Sequence, residues 1–429
     1  MKTFIQLVLT FRTIMLLVLT SSSIFSTPSF AGVWLDKNTW NAHWEDKFSS
    51  WIKNEFNEDF FTSGKYKGIA TDCADAVYFS RLIFAAENAL PFVIKDPTGG
   101  STLITNKMSR FDSVKDTHQR LRKFMNFIGG ITSTKSLPQD TYPVKVNREN
   151  IRPGTTWSRP RIKRENILNL VLGTNVKEDP GHAEIVRDVN DAGVVEVIGS
   201  TVPAAVRKLQ VTTSLVFLPI ETTTGFRRWY LPEEYKMDKE KLPNYSLEQF
   251  KIGSQTWEDS REGNRLQKGE RNVESWANEI YHRLKESENT KESKEVKLKR
   301  IVVDLCTLSN SRADVIKKSE AFRLKTRGAC MDASAYDSYS TPSRDKRILA
   351  TLKDAIKIGG GFGFTTSQSM NKLEPALREC NIEIKANVKL SLWDFLKSMA
   401  NGDTTSNPNE TLEARWGLAE HQDKDCPEY

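Results

Sequence analysis

One stretch limits the folds open to this chain more than any other: the run from Thr71 to Pro91. Its apolar residues Ala74, Val77, Tyr78, Ile83, Phe84, Ala85, Ala86 and Ala89 fall on every face of a helix. That pattern predicts a helix sunk in a core rather than laid on a surface. Thr71 or Asp72 can cap its first free N–H groups. Leu90-Pro91 reads as its stop, because proline cannot continue the hydrogen-bond ladder. Cys73 then falls in the first turn, where free N–H groups and the positive end of the dipole favour a thiolate. A lone cysteine is commonly a small buried core residue. Here the helix N-terminus, and a histidine further along, point to a nucleophile.

With 429 residues the chain has length for two or three domains and a real core. The formal net charge of +7 falls to +5 if the first 31 residues, which carry only Lys2 and Arg12, are removed. No Lys/Arg run interleaved with aromatic residues stands out, so a nucleic-acid partner is not expected. Residues 1–31 read as a secretory signal: a positive start, an apolar run from Thr13 to Leu19, and the small-x-small site Ser29-Phe30-Ala31. The serines from Ser21 interrupt the apolar run before it could span a membrane, and no other segment approaches that length. The reading is therefore an exported protein of the periplasm or cell envelope, with no stable span once the signal is cleaved.

Export permits disulfides. Of the five cysteines, Cys306, Cys330, Cys380 and Cys426 lie in the C-terminal half and allow three pairings. Cys73 is the odd one, a candidate free thiol. The other four lack the short Cys-x-x-Cys spacing of zinc sites, so no metal is expected, and nothing points to a cofactor.

Trp40, Trp44, Phe48 and Trp51 have helical spacing and read as a helix packed on the core. Residues 95–150 look like an insertion, with a helix near Ser113–Phe127 followed by Gly129-Gly130 and Pro138. Ile151 to Trp157 reads as a turn into a strand. Two β-rich runs flank Asn190-Asp191-Ala192-Gly193, a hairpin signal, and His182 opens the first of them after Pro180-Gly181. Leu215–Ile220 and Phe226–Pro232 are further strand candidates. From about Glu240 the texture becomes charged and helical, with helices expected over 274–288, 292–308, 345–358 and 390–399. Gly359 to Gly363 reads as a flexible break. It lacks the Lys-Ser/Thr ending of a phosphate loop.

A thiol at a helix start with an imidazole on a strand is the pairing for nucleophilic cysteine catalysis: the base raises the thiolate fraction, then protonates the leaving amine. The five histidines are His43, His118, His182, His282 and His421. Only His182 stands at a turn-to-strand junction in the same half as Cys73, which makes the two the candidate pair.

Asp72-Cys73 opening a helix that closes at Leu90-Pro91, with Pro153-Gly154 ahead of Trp157, resembles the NlpC-type papain-like cell-wall peptidases. Gly181-His182 through Gly193 to Ile198 is similar to the related CHAP amidases. The resemblance covers about residues 60–220. It implies an α+β fold with a catalytic helix packed on an antiparallel sheet, and hydrolysis of amide bonds in peptidoglycan. It implies too a residue orienting the histidine from the following strand. Gly199, which stands there, has no side chain, leaving Ser200, Thr201 or Glu196. A four-residue hairpin loop brings the end of the second strand across from His182 and favours Ser200. Tyr66 is the candidate for the tyrosine that the family places near the developing oxyanion. Ala74-Asp75 stands where the family usually has Ser-Gly.

The expectation is thus an α+β papain-like hydrolase domain over residues 32–245 and a mostly α accessory domain over 246–429. Cys73 and His182 are its catalytic pair, with Ser200 or Glu196 and Tyr66 assisting. The expected substrate is a peptidoglycan or envelope peptide. The competing expectations are an acyltransferase or transglutaminase-like enzyme and a non-catalytic envelope-binding protein.

Overall fold

The structure is a computed structural model that describes residues 32–100, 102–160, 181–213, 215, 219, 221–259, 268–360, 366–422 and 425–429. The signal reading of residues 1–31 lies outside them, as does most of Leu215–Ile220. The chain order is α1 (Ala42–Asn54), α2 (Cys73–Glu87), β1 (Val93–Lys95), β2 (Leu103–Thr105), α3 (Thr117–Ile131), β3 (Thr141–Pro143), β4 (Thr156–Arg159), β5 (His182–Val189), β6 (Val195–Gly199), β7 (Gln210–Thr212) and β8 (Gly225–Trp229). Then follow α4 (Glu248–Asp259), α5 (Lys268–Leu284), α6 (Lys294–Lys325), α7 (Ala333–Tyr339), α8 (Pro342–Gly360), α9 (Thr366–Glu379), β9 (Asn381–Lys385), β10 (Val388–Ser391) and α10 (Leu392–Asn401). Short single turns complete the list.

The α+β class is as expected. Six antiparallel strands form one sheet in the order β3-β8-β4-β5-β6-β7. Helix α2 is its centrepiece, and every residue from Cys73 to Ala85 is buried. Asp72 caps it by accepting the Asp75 N–H, and Asp75 returns the bond by accepting the Asp72 N–H, a capping box. The helix ends at Glu87, short of Leu90-Pro91. Ala89 takes a left-handed conformation (φ 48°) and the Leu90 N–H turns back to the Ala85 carbonyl. A left-handed closure therefore stops the helix, and Pro91 only follows it.

Both faces of the sheet are covered, because alternate side chains of a strand point to opposite faces. Ala183, Ile185 and Ile198 share a core with α1, α2 and α3, represented by Phe48, Trp51, Leu82 and Phe124. Val186, Val195 and Val197 face the other way and pack with Trp157, Phe226 and Trp276, Ile280 and Leu284 of α5. This packing bears on two expected boundaries. The stretch 95–150 is built into the main fold: it supplies edge strand β3 and helix α3, whose Leu121, Phe124, Met125 and Ile128 belong to the main core. Gly129 lies inside α3 rather than ending it. A Cβ there would stand 2.7 Å from an Asp75 oxygen and 3.0 Å from the Phe79 ring, so only glycine lets α3 approach α2 this closely. The boundary placed at 245 also moves, because α5 covers the sheet and the separate second core begins with Ile301.

That second unit is helical, with a β9–β10 hairpin that the sequence did not suggest. Helix α6 runs unbroken through Lys325, well past the expected end at Leu308, and α8 continues through Gly359-Gly360, which was read as a break. Cys306 pairs with Cys380 and Cys330 with Cys426, and Cys73 is the free thiol. Two disulfides are in keeping with export. Among the described residues no helix is long and apolar enough to cross a membrane.

The two units meet along edge strand β7 and at the end of β6 near Cys73. From α6, Asp304 accepts the N–H and the hydroxyl of Thr213, at 3.0 and 2.6 Å, and Asp314 pairs with Arg207 at 3.1 Å. From α8, Arg344 donates to the Thr201 hydroxyl and to the Val202 carbonyl, and Arg347 approaches Glu184 at 3.6 Å.

Candidate active site

The site is built where α2 starts, β5 starts and β6 ends. Cys73 is 5 % exposed, and its sulfur receives the N–H groups of Ala74 and Ala183. The Ala183 N–H is free to do so because the ladder between β5 and β6 ends at Ile185–Ile198. These two bonds favour a thiolate. Burial outweighs them, with the Asp72 and Asp75 carboxyls adding to it, and the thiol is pushed up to about 12. The expected helix-end thiolate is therefore corrected for this arrangement. The capping box takes up the free N–H groups and sets two carboxyls at the positive end of the dipole.

The same crowding acts on Asp75, whose carboxyl is pushed to about 7 by burial and by Asp72. An acid with a raised folded-state pKa holds its proton more tightly folded than unfolded. Stability is therefore lost as pH rises from about 4, where the unfolded carboxyl ionises, to about 7. Urea unfolding is expected to show a less stable chain at pH 8 than at pH 5. Asp75→Asn, which keeps an acceptor for the Asp72 N–H, narrows that gap. An unchanged gap would show that Asp75 is not its source.

His182 opens β5 with its side chain 21 % exposed. Its Nε2 stands 3.1 Å from Oε1 of Glu184, a residue only 3 % exposed. Burial pushes the Glu184 carboxyl up, but His182 and Arg347 outweigh it and hold the group below the ordinary range. His182, Glu184 and Val186 share one face of β5, and Ala183 and Ile185 share the other. The histidine and the α2 core thus lie on opposite faces. Cys73 meets the strand at its edge, through the Ala183 backbone, and no hydrogen bond joins Cys73 to His182.

The residues expected to assist are placed elsewhere. A bulge between Val186 and Asp188 shifts the hairpin register by one, so Ile185 pairs with Ile198 and Val186 with Val197. Continuing that register sets Gly199 opposite Glu184, Ser200 opposite Ala183 and Thr201 opposite His182. Ser200 is thereby on the α2 face. Its hydroxyl donates to the Thr71 carbonyl and accepts from the Thr71 hydroxyl, both at 3.0 Å, which fastens the end of β6 to the start of α2. Glu196 pairs with Arg187 at 3.5 Å and lies across from Asp188. That is six positions along β5 from His182, about 20 Å at the rise of a strand. Tyr66 donates to Glu87 at the far end of α2, fourteen residues and about 21 Å of helix from Cys73. Neither Glu196 nor Tyr66 reaches the site.

Glu184 is the residue that sequence reasoning missed. The signal was there: His182 and Glu184 are two apart in a strand, which puts both on one face. Gly199 completes the fit, since a Cβ there would lie 3.1 Å from Glu184 Cγ. The space that a side chain at 199 would fill is taken by the Glu184 chain from the neighbouring strand.

Among the described residues no cluster of three or more histidine, cysteine or carboxylate side chains is arranged to hold a metal ion. Comparison with protein-family models, with curated proteins and with solved structures finds no match to this chain.

Proposed function

We propose that this is an exported cysteine hydrolase of papain-like arrangement, acting on amide bonds of peptidoglycan or another envelope peptide, in the periplasm or cell envelope. The observation that carries the reading is the pairing at one strand end. His182 has its Nε2 3.1 Å from the carboxylate of a buried Glu184, and the next residue's N–H sits on the sulfur of the one free cysteine.

In this reading Glu184 fixes the imidazole with Nε2 occupied, which leaves Nδ1 for proton transfer, and stabilises the imidazolium. His182 takes the thiol proton as the Cys73 sulfur attacks the carbonyl carbon. The tetrahedral oxyanion collapses, the C–N bond breaks, and the amine leaves with the proton from His182. Water, deprotonated by His182, then cleaves the thioester and restores the thiol. The arrangement described here is a closed one. The thiol is enclosed, so substrate entry requires the strand end around it to open. Formation of the thiolate needs the same loosening, since burial is what holds the thiol protonated.

The test uses purified full-length protein and soluble muropeptides, followed by mass spectrometry. Cleavage into an amine and an acid fragment is expected, and it should vanish in Cys73→Ala and His182→Ala. Products carrying an added amine in place of water would identify an acyltransferase. No product from any muropeptide, with Cys73→Ala binding them as the wild type does, would overturn the enzyme reading. One observation favours that second reading, a binding module: the depth at which the thiol is enclosed.

A further inference from the structure

Three arginines converge on the strand end beside Cys73, and their partners are unequally shared. Arg347 reaches the Glu184 carboxylate. Arg207 is 6 % exposed. Its Nη1 pairs with Asp314, its Nη2 donates to the Pro203 carbonyl, and its Nε is enclosed without a hydrogen-bond partner. Arg344 has only neutral acceptors, the Thr201 hydroxyl and the Val202 carbonyl, both on its Nη2, and its Nε too is enclosed and unpartnered. Among the described residues no carboxylate stands within ion-pair distance of Arg344. Its charged neighbours are Arg207, which repels it, Asp345, the Cys73 sulfur and Asp314.

A guanidinium enclosed beside a second one, with N–H donors aimed at nothing, is an expensive arrangement unless an anion completes it. The planar fork of arginine matches a carboxylate, which it binds through two parallel N–H bonds. The place of this unspent donor set matters as much. Arg344 is bonded to Thr201 and Val202, in the segment after β6 whose Ala205 bridges to Thr71, two residues before Cys73.

We propose that Arg344, backed by Arg207, is the carboxylate-binding subsite of the Cys73 site, and that the substrate is an amide carrying a free carboxylate close to its scissile carbonyl. This rests on the reading of Cys73 as nucleophile. It adds that α8, from the second unit, completes the specificity of a site whose chemistry is carried by the first. A peptide with its terminal carboxylate next to the cleaved bond fits this subsite; the same peptide with an amidated terminus does not.

Two small alkylating reagents test it without knowledge of the substrate. Iodoacetate and iodoacetamide differ by one carboxylate for one amide. Their rates at Cys73 in the full-length protein, read by mass spectrometry, are divided by the corresponding rates for a small free thiol. The normalised preference for iodoacetate is expected to be at least about tenfold, which is the factor given by 1.4 kcal/mol. The iodoacetate rate should saturate with concentration and be slowed by acetate. Arg344→Gln should bring the preference close to one, Arg207→Gln should reduce it, and Arg344→Lys should retain part of it, each checked for a wild-type circular dichroism spectrum. Labelling by iodoacetamide with no preference for iodoacetate, or a preference untouched by Arg344→Gln, overturns the subsite and leaves the nucleophile standing. Labelling of Cys73 by neither reagent overturns both.

Discussion

Glu184→Gln is expected to lower amide hydrolysis by about four orders of magnitude while leaving the fold intact, a loss of the size seen when a triad carboxylate becomes an amide. Glutamine keeps the volume that fills the space beside Gly199 and keeps an oxygen within reach of His182. It removes the negative charge that balances the imidazolium, and its amide can turn an N–H towards Nε2 and impose the wrong tautomer. The loss should fall on the rate of acylation rather than on substrate binding. The pH profile should also change, because the charge that faces the imidazole is gone. A purely structural role for Glu184 would instead show as lost stability with an unshifted profile. Glu184 also meets Arg347, so Arg347→Gln serves as the control: it disturbs the interface but keeps the carboxylate on His182.

The second large effect concerns the fold. Arg81 lies within α2 and is 4 % exposed. Its guanidinium stacks 3.4 Å from the Trp40 ring centroid and pairs with Glu45 of α1 at 2.5 Å. Glu45→Ala removes the one carboxylate and leaves a cation in the main core. The expected cost is about 3–5 kcal/mol in urea unfolding, the usual penalty for stranding a buried charge. The double variant Glu45→Ala/Arg81→Met should recover much of that loss, since methionine takes the charge away and fills the space. A single-variant cost below about 1 kcal/mol, in the range of surface pairs, would show that water reaches Arg81.

Both predictions depend on residues that the linear pattern treated unevenly. The all-round apolar run of α2 was legible because burial on every face leaves no polar stripe, and Arg81 is the exception that needed Glu45 to be tolerated. The hairpin over β5 and β6 was legible from its turn residues, and its register was not. The observed register, Ile185 with Ile198 beyond a bulge at Val186–Asp188, puts Ser200 on the α2 face rather than opposite His182, and there it ties down Thr71. A shift of one residue exchanges the faces of a strand, so the choice among Ser200, Thr201 and Glu196 could not be made by counting. Tyr66 failed for a different reason. Sequence proximity to Cys73 says nothing about which end of a helix the preceding segment packs against, and Tyr66 is held at Glu87.

What the sequence alone determined is local or arithmetic. The buried helix and a cap at Thr71 or Asp72, the hairpin, the split between four paired cysteines and one free thiol, and the α+β class all follow from periodicity, capping chemistry and residue counts. What the tertiary structure decided is the set of neighbours that the chain brings together across long separations. It assigned α5 to the sheet and α3 to the main core. It set Glu184 beside His182, and it brought Arg344 of α8 to Thr201 and Val202 at the end of β6. It also turned an expected thiolate into an enclosed thiol, because the pKa of a group depends on solvent exclusion and on charges in space, neither of which is written in the spacing of residues along the chain.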